Sequence, residues 1–253
     1  VSRRPPKSPA AHLFAGTSGW AYPTWKPGFY PQPLAQKRFL SFYSTQLNSV
    51  EVNYTFTKLP TPKMTADWLA QTPPHFRFSF KAPQRITHFS RLVNCNEHVA
   101  GFLASIQPVI QAGKCGLILF QLPPNFKANA ERLAAFLALP ALTEAPPLAF
   151  EFRHESWFAQ ETYDLLTAHN VALCIAESEK LETPEIQTAR THTCYRLRRP
   201  GGYEPRQLTA LAARLTALSG SRDVYAYFKH EDEPTGALNA RAFLKAAAQA
   251  AAR

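Results

Sequence analysis

Apolar positions along this chain follow two alternating rhythms. Short runs alternate apolar and polar residues with period two, as in "SVEVNYTF", "FRFSFKAP" and "LAFEFR", or are continuously apolar, as in "CGLILFQLPP". These are strand patterns. "HLFAGTSGW", "VALCIAES", "TCYRLRRPGG" and "DVYAYFKH" belong with them. Between them lie longer runs with apolar residues three and four apart, from "KRFLSFYSTQL" to the closing "TGALNARAFLKAAAQAAAR". Thr61 and Pro62 suit the N-cap and first turn of a helix, and Gly220 suits a helix end. Ser156 is expected to cap the helix in "SWFAQETYDLLTAHN", and Pro108 to kink or break the one in "NEHVAGFLASIQPVIQA".

The pattern predicts eight strands. Seven are followed by a helix; after the sixth, "EKLETPEIQTAR" is ambiguous. Strict alternation implies parallel strands joined by helical crossovers. Eight such units in 253 residues fit a single closed parallel (β/α)8 TIM-type barrel. A doubly wound sheet is the rival, but "GTSGWAY" lacks the GxGxxG spacing of its usual first turn. Residues 1–11 carry Pro, Ser and basic residues and read as a disordered arm; residues 12–253 read as the barrel domain, with no internal repeat.

Charge adds a bias toward anions. The formal net charge is +10, which suits a polyanion-binding face or a solvated basic surface equally. The four cysteines have no metal-ligand spacing and read as small buried hydrophobes in a reducing compartment. The first residues lack the apolar core of a leader, and no apolar run reaches membrane-spanning length. The expectation is a soluble cytoplasmic protein with no membrane partner.

Strand parity then sorts inward from outward side chains. In "AFEFR", Phe150 and Phe152 suit the layer between barrel and helices, so Glu151 and Arg153 point inward. The same reasoning turns Glu51 and Asn53 inward, then Arg77, Ser79 and Lys81, then Gln121. Arg196 and Arg198 share a face, as do Tyr225, Tyr227 and Lys229. Strand one supplies Thr17 and Ser18, and strand six supplies Glu177. Polar residues thus recur at the strand ends, where barrel enzymes place their sites. A buried ion-pair network among Glu51, Glu151, Arg153 and Arg196 is the structural alternative, but many desolvated polar groups at one end are costly without function.

The blocks "GTSGWAYPTWKPGFYP", "NSVEVNYTFTKLPTP", "FRFSFKAPQRITH", "LFQLPPNF", "AFEFRHESWF" and "DVYAYFKHEDEPTGALNA", in this order over nearly the whole chain, resemble the domain-of-unknown-function 72 family, the YecE-like proteins. The resemblance implies a TIM-type barrel and names no reaction. Its motif positions fall on Thr17, Ser18, Trp20, Tyr22, Glu51, Asn53, Lys81, His88, Gln121, Glu151, Arg153, His154 and Trp157. Two places depart from it. Arg198 stands where the family often has His, and Lys229-His230 where it is often Asn-rich; both add positive charge.

Lys81, Arg153, Arg196, Arg198 and Lys229 against Glu51, Glu151 and Glu177 favour an anionic ligand, since guanidinium forks match phosphate and carboxylate. The leading expectation is an enzyme of hydrolase, lyase or isomerase type acting on a phosphate- or carboxylate-bearing substrate. Glu51, Glu151 and Lys81 are its catalytic candidates, and Arg153 is its anion contact. Glu151 would orient Arg153 or move a proton, and His154, of opposite parity, would support the rim. One alternative is a nucleic-acid-binding module; another is a glycosidase-like hydrolase using Glu51 and Glu151 as a carboxylate pair. No cofactor is expected. A divalent metal on Glu51, Glu151, Glu177, His154 and His230 is a weaker alternative, because no HxH or HxxxH is present and the cations oppose it. Trp20, Tyr22, Trp25, Phe29 and Tyr30 form either a stacking wall or a proline-stiffened plug. Arg85, His88 and Arg91 form a small basic patch. Oligomeric state is left open.

Overall fold

The computed structural model describes residues 12–178, 180–229 and 233–252. The expected disordered arm at 1–11, and His230, lie outside the described residues. The elements run β1 (Leu13–Thr17), α1 (Phe39–Gln46), β2 (Ser49–Val52), α2 (Pro62–Ala70), β3 (Arg77–Lys81), α3 (Asn96–Gln111), β4 (Cys115–Gln121) and α4 (Ala130–Leu137). They continue with β5 (Leu148–Glu151), α5 (Gln160–Ala168), β6 (Ala172–Ala176), β7 (His192–Leu197), α6 (Pro205–Leu218), β8 (Asp223–Phe228) and α7 (Thr235–Ala251). Neighbouring strands pair in parallel in the order β1-β8-β7-β6-β5-β4-β3-β2. The fold is a (β/α)8 barrel. Among the described residues no helix joins β6 to β7, which settles the ambiguous segment.

Thr61 caps α2, its hydroxyl accepting from Met64 N, with Pro62 in the first turn. Two expected signals are corrected. Pro108 does not end α3, which continues to Gln111 with the proline in its last turn, where only one ladder bond is forfeited. Ser156 does not cap α5. It lies in a short 3-10 turn, Glu155–Trp157, capped by His154, and α5 starts only after Ala159. The Ser156 hydroxyl instead accepts from Ala128 N at 2.8 Å. The aromatic run holds the chain down first: Trp157 stacks on Phe152 at 4.7 Å and donates its Nε1 hydrogen to Phe126 O at 2.7 Å.

Strand parity separates two apolar regions. Phe78, Phe80, Phe120, Phe150 and Phe152 face the helices and join the large outer core. The lumen holds Phe14, Leu117, Leu119, Cys174, Cys194, Tyr225 and Tyr227. Above Phe14 and Tyr225, stacked at 5.0 Å, lies a neutral polar layer. There the Tyr227 hydroxyl donates to Ser79 Oγ at 2.6 Å and lies 2.7 Å from Ser49 Oγ.

The barrel closes at a seam that is mostly side chain. Between β1 and β2 the backbone makes one isolated bridge, Ser18 to Glu51. Below it, the Asn48 amide donates to Leu13 O at 2.9 Å and accepts from Ala15 N at 2.8 Å. The Tyr43 hydroxyl accepts from Thr17 N at 2.8 Å and donates to Ser49 O at 3.0 Å. Two side chains thus stand in for a strand ladder. They fit because Gly16 has no Cβ, which would lie 1.8 Å from Ser49 O. Asn48→Ala should leave a strand N–H and a strand C=O unpaired and cost about 2–4 kcal/mol, read as a lowered urea midpoint.

Candidate functional site

Three strands meet at the C-terminal mouth through one guanidinium. Arg196 on β7 donates from Nη1 to Glu151 Oε2 on β5 at 2.6 Å and from Nη2 to Glu51 Oε1 on β2 at 2.7 Å. All three side chains are at most 1% exposed. Arg153, just past β5, pairs with the other oxygen of Glu151, which also accepts from Gln121 Nε2 at 3.1 Å. Ser18 Oγ donates to Glu51 Oε1 at 2.9 Å.

The electrostatics follow from this wiring. Burial alone would push the Glu151 carboxyl up, but Arg196, Arg153 and Arg198 outweigh it and hold the pKa down at about 2. Arg196 is likewise kept firmly charged: burial opposes its charge, and Glu151 and Glu51 more than compensate. Two arginines and two glutamates cancel. Lys81 and Arg198 therefore stand as additional positive charge beside a neutral quartet.

Lys81 ends β3 with Nζ 4.0 Å from the centre of the Phe56 ring. Burial, then the nearby Arg196, lowers its pKa to about 8 against the opposing pull of Glu51 and Glu151. The ring face attracts the ammonium form and offsets part of that fall. His88 meets Phe56 edge-on at 5.0 Å, and burial and Lys81 lower its pKa. Phe56, which forms the wall between Lys81 and His88, has no signal in the sequence. It closes the alternating run "SVEVNYTF", but the strand ends at Val52 and Phe56 lies in a short 3-10 turn, so strand parity does not place it.

Other expected site residues divide. Asn53 follows β2, and its Oδ1 is buried without a partner. Arg153, Arg198, Lys229, Glu177 and Lys180 line a mouth cavity of about 230 Å³. Tyr22 reaches back to donate to Ser18 O at 2.9 Å, and burial and Glu51 raise its pKa to about 12. Thr17 is corrected. It faces outward, with Oγ1 2.9 Å from the Tyr43 hydroxyl and donating to Gly19 O at 2.6 Å. Trp20 is also outside the ring of charges, packed edge-on to Trp68 at 5.8 Å. His154 sits in the loop, its Nδ1 accepting from Ser156 N at 3.2 Å.

The aromatic loop after β1 is a plug. Trp25, Phe29 and Tyr30 are 0–3% exposed, and Tyr30 stacks on Phe39 at 4.0 Å. Their ring faces are used inside the protein. Glu177 accepts from Arg198 N at 2.8 Å and from the Tyr203 hydroxyl, a partner the sequence pattern did not single out. Among the described residues, no three His, Cys, Asp or Glu side chains gather as a metal site. The carboxylates of the metal alternative are taken by Arg196, Arg153 and Tyr203. The carboxylate-pair reading meets the same obstacle, because Glu51 and Glu151 are clamped to one guanidinium.

The whole barrel, 14–253, matches the model of a family described as a protein of unknown function, DUF72. The chain belongs to the DUF72 family. It is 32% identical over 182 residues to the UPF0759 protein YecE of Escherichia coli O157:H7, covering 72% of this chain and 63% of YecE. It is 28% identical over 156 residues to YunF of Bacillus subtilis, covering 60% and 54%. These matches span somewhat more than half of each relative's length. The solved DUF72 protein of Thermotoga maritima superposes with a TM-score of 0.79 at 27% identity, covering 92% of this chain and 98% of that one. One from Enterococcus faecalis gives 0.79 at 18%, covering 94% and 96%, a likeness of fold. In this chain no described helix is long and apolar enough to cross a membrane.

The DUF72 mouth gives a pH prediction. The Glu151 carboxyl is held below its ordinary 4.5, at about 2. Its contribution to stability is therefore complete above pH 4.5 and fades as pH falls toward 2. Glu151→Gln should flatten the pH dependence of the unfolding free energy in that window by on the order of 3 kcal/mol, measured by urea titrations at each pH. An unchanged slope would mean Glu151 carries no such linkage.

Proposed function

We propose that the barrel mouth binds the phosphate or carboxylate group of a small-molecule substrate, and that the protein is an enzyme of hydrolase, lyase or isomerase type. One observation carries this reading. Among the described residues, eight buried side-chain polar atoms have no protein partner, and five of them belong to the mouth: Glu51 Oε2, Asn53 Oδ1, and the Nε atoms of Arg153, Arg196 and Arg198. Buried polar groups are normally paired, so such a cluster in one place fits a ligand that completes it. A network serving only stability would be expected to satisfy its own members.

The roles follow from charge and access. Glu51, Glu151 and Arg196 form the buried base of the site, where Glu151 orients Arg153 rather than moving protons. A carboxyl held near pKa 2 is a weak base at neutral pH. Arg153 and Arg198 face the mouth cavity and supply anion contacts. Lys81, with a pKa near 8, is the group suited to proton transfer at neutral pH.

Thermal melts with increasing phosphate or sulfate test the anion site. An anion at ten times its Kd should stabilise the wild type by about 1.4 kcal/mol. Arg153→Ala and Arg198→Ala should each lose most of that increment while still unfolding cooperatively. Stabilisation that survives undiminished in both variants would place the anion elsewhere and sink the reading.

A further inference from the structure

Two lysines with desolvated amines are used in opposite ways. Lys114, 7% exposed, directs Nζ at three acceptors: Leu69 O at 3.2 Å, Thr72 O at 2.7 Å and Thr72 Oγ1 at 3.1 Å. That is how a protein holds a structural ammonium. Lys81 has no carboxylate within 4.0 Å and no acceptor on Nζ among the described residues; its one recorded close contact is the Phe56 ring. Its backbone is nevertheless fixed, with Lys81 O accepting from Thr55 Oγ1 at 2.7 Å. An amine on a rigid strand end, without a carboxylate partner among the described residues and beside other cations, is the arrangement that makes a lysine nucleophilic, even with the Phe56 ring drawing it part way toward the ammonium form.

We propose that Lys81 captures the carbonyl carbon of an aldehyde or ketone carrying a phosphate or carboxylate, forming a Schiff base at the barrel mouth. This rests on the anion-binding reading above, with Arg153 and Arg198 holding the charged end. The Nζ lone pair forms the C–N bond as the carbonyl π pair moves onto oxygen. Both amine protons end on that oxygen, which leaves as water when the C–O bond breaks, so no oxidant or metal enters the step. The attacking form is the neutral amine. With a pKa of about 8, roughly one Lys81 in ten is neutral at pH 7, against fewer than one in a thousand for an ordinary lysine. Among the described residues, Glu51 Oε2 and Asn53 Oδ1 are the mouth's unpaired buried acceptors, and the carbinolamine's hydrogen bonds are assigned to them in this proposal.

The test is reductive trapping on the wild-type protein. It is incubated with glyceraldehyde 3-phosphate, or with glyceraldehyde as the uncharged control, in sodium cyanoborohydride, and the adducts are mapped by peptide mass spectrometry. Lys81 should be labelled at least tenfold faster than any other lysine by the phosphorylated aldehyde. Lys81→Arg, which keeps the charge, should abolish that fast phase while its melting temperature still rises with phosphate. Arg153→Ala should lower the preference for the phosphorylated probe. Labelling of Lys81 no faster than of exposed lysines overturns the Schiff base; if phosphate still stabilises the wild type, the anion site survives that failure. Equal labelling of Lys81 by both aldehydes, with no phosphate effect on melting, would overturn the anion site and the charged-substrate part of this proposal, leaving a reactive lysine alone.

Discussion

The guanidinium of Arg196 links strands that are far apart in the ring. It extends from β7 across the lumen to carboxylates on β2 and β5. Desolvating an arginine is expensive, and so is desolvating each glutamate; together they are tolerable because one planar fork satisfies two acceptors. Arg153 then supplies the second positive charge, and Ser18 and Gln121 occupy further lone pairs. The quartet lies directly above a neutral layer of Ser49, Ser79 and Tyr227 hydroxyls. Polarity thus rises toward the mouth.

Much of this was legible from alternation alone. Parity along "AFEFR" and "VEVNY" has a clear apolar face, Phe150 with Phe152 and Val50 with Val52, so the inward set follows. In β1 the same reasoning fails. "LFAGTS" carries small residues on both faces, and only the contacts show that Ser18 turns in while Thr17 turns toward Tyr43. The seam was not legible at all. Asn48 and Tyr43 act through single hydrogen bonds to strand backbone across the β1–β2 gap, and no periodicity marks a residue for that. Phe56 escaped for a related reason: its role depends on what a neighbouring strand brings against its face.

Glu151 is unsuited to proton transfer near neutral pH for a physical reason. A general acid or base must exchange its proton near neutral pH, which calls for a carboxyl pushed up by burial without compensation. Here burial is more than compensated by three arginines, so Glu151 stays ionised across the working range. Two of them, Arg196 and Arg198, act oppositely on Lys81. They add to its desolvation and weaken its hold on a proton. The cations thus hold Glu151 as an anion and bring the Lys81 amine toward neutrality within a single ring.

The absent helix between β6 and β7 contributes to this arrangement. In its place the described part of the crossing is irregular, tied to β6 by the Thr183 and Thr188 hydroxyls, and a cavity of about 670 Å³ lies between it and Leu211 and Arg214 of α6. Glu177 anchors the start of that crossing, binding the Arg198 backbone N–H and the Tyr203 hydroxyl rather than the Arg198 side chain. The backbone of Arg198 is held in register, and its guanidinium makes no ion pair among the described residues. A packed helix here would have covered that edge of the mouth. Glu177 and Arg198 line both the outer cavity and the mouth cavity, so they stand at a junction between the two. Among the described residues the β6–β7 crossing is irregular rather than helical, and it contributes Glu177 to both cavities.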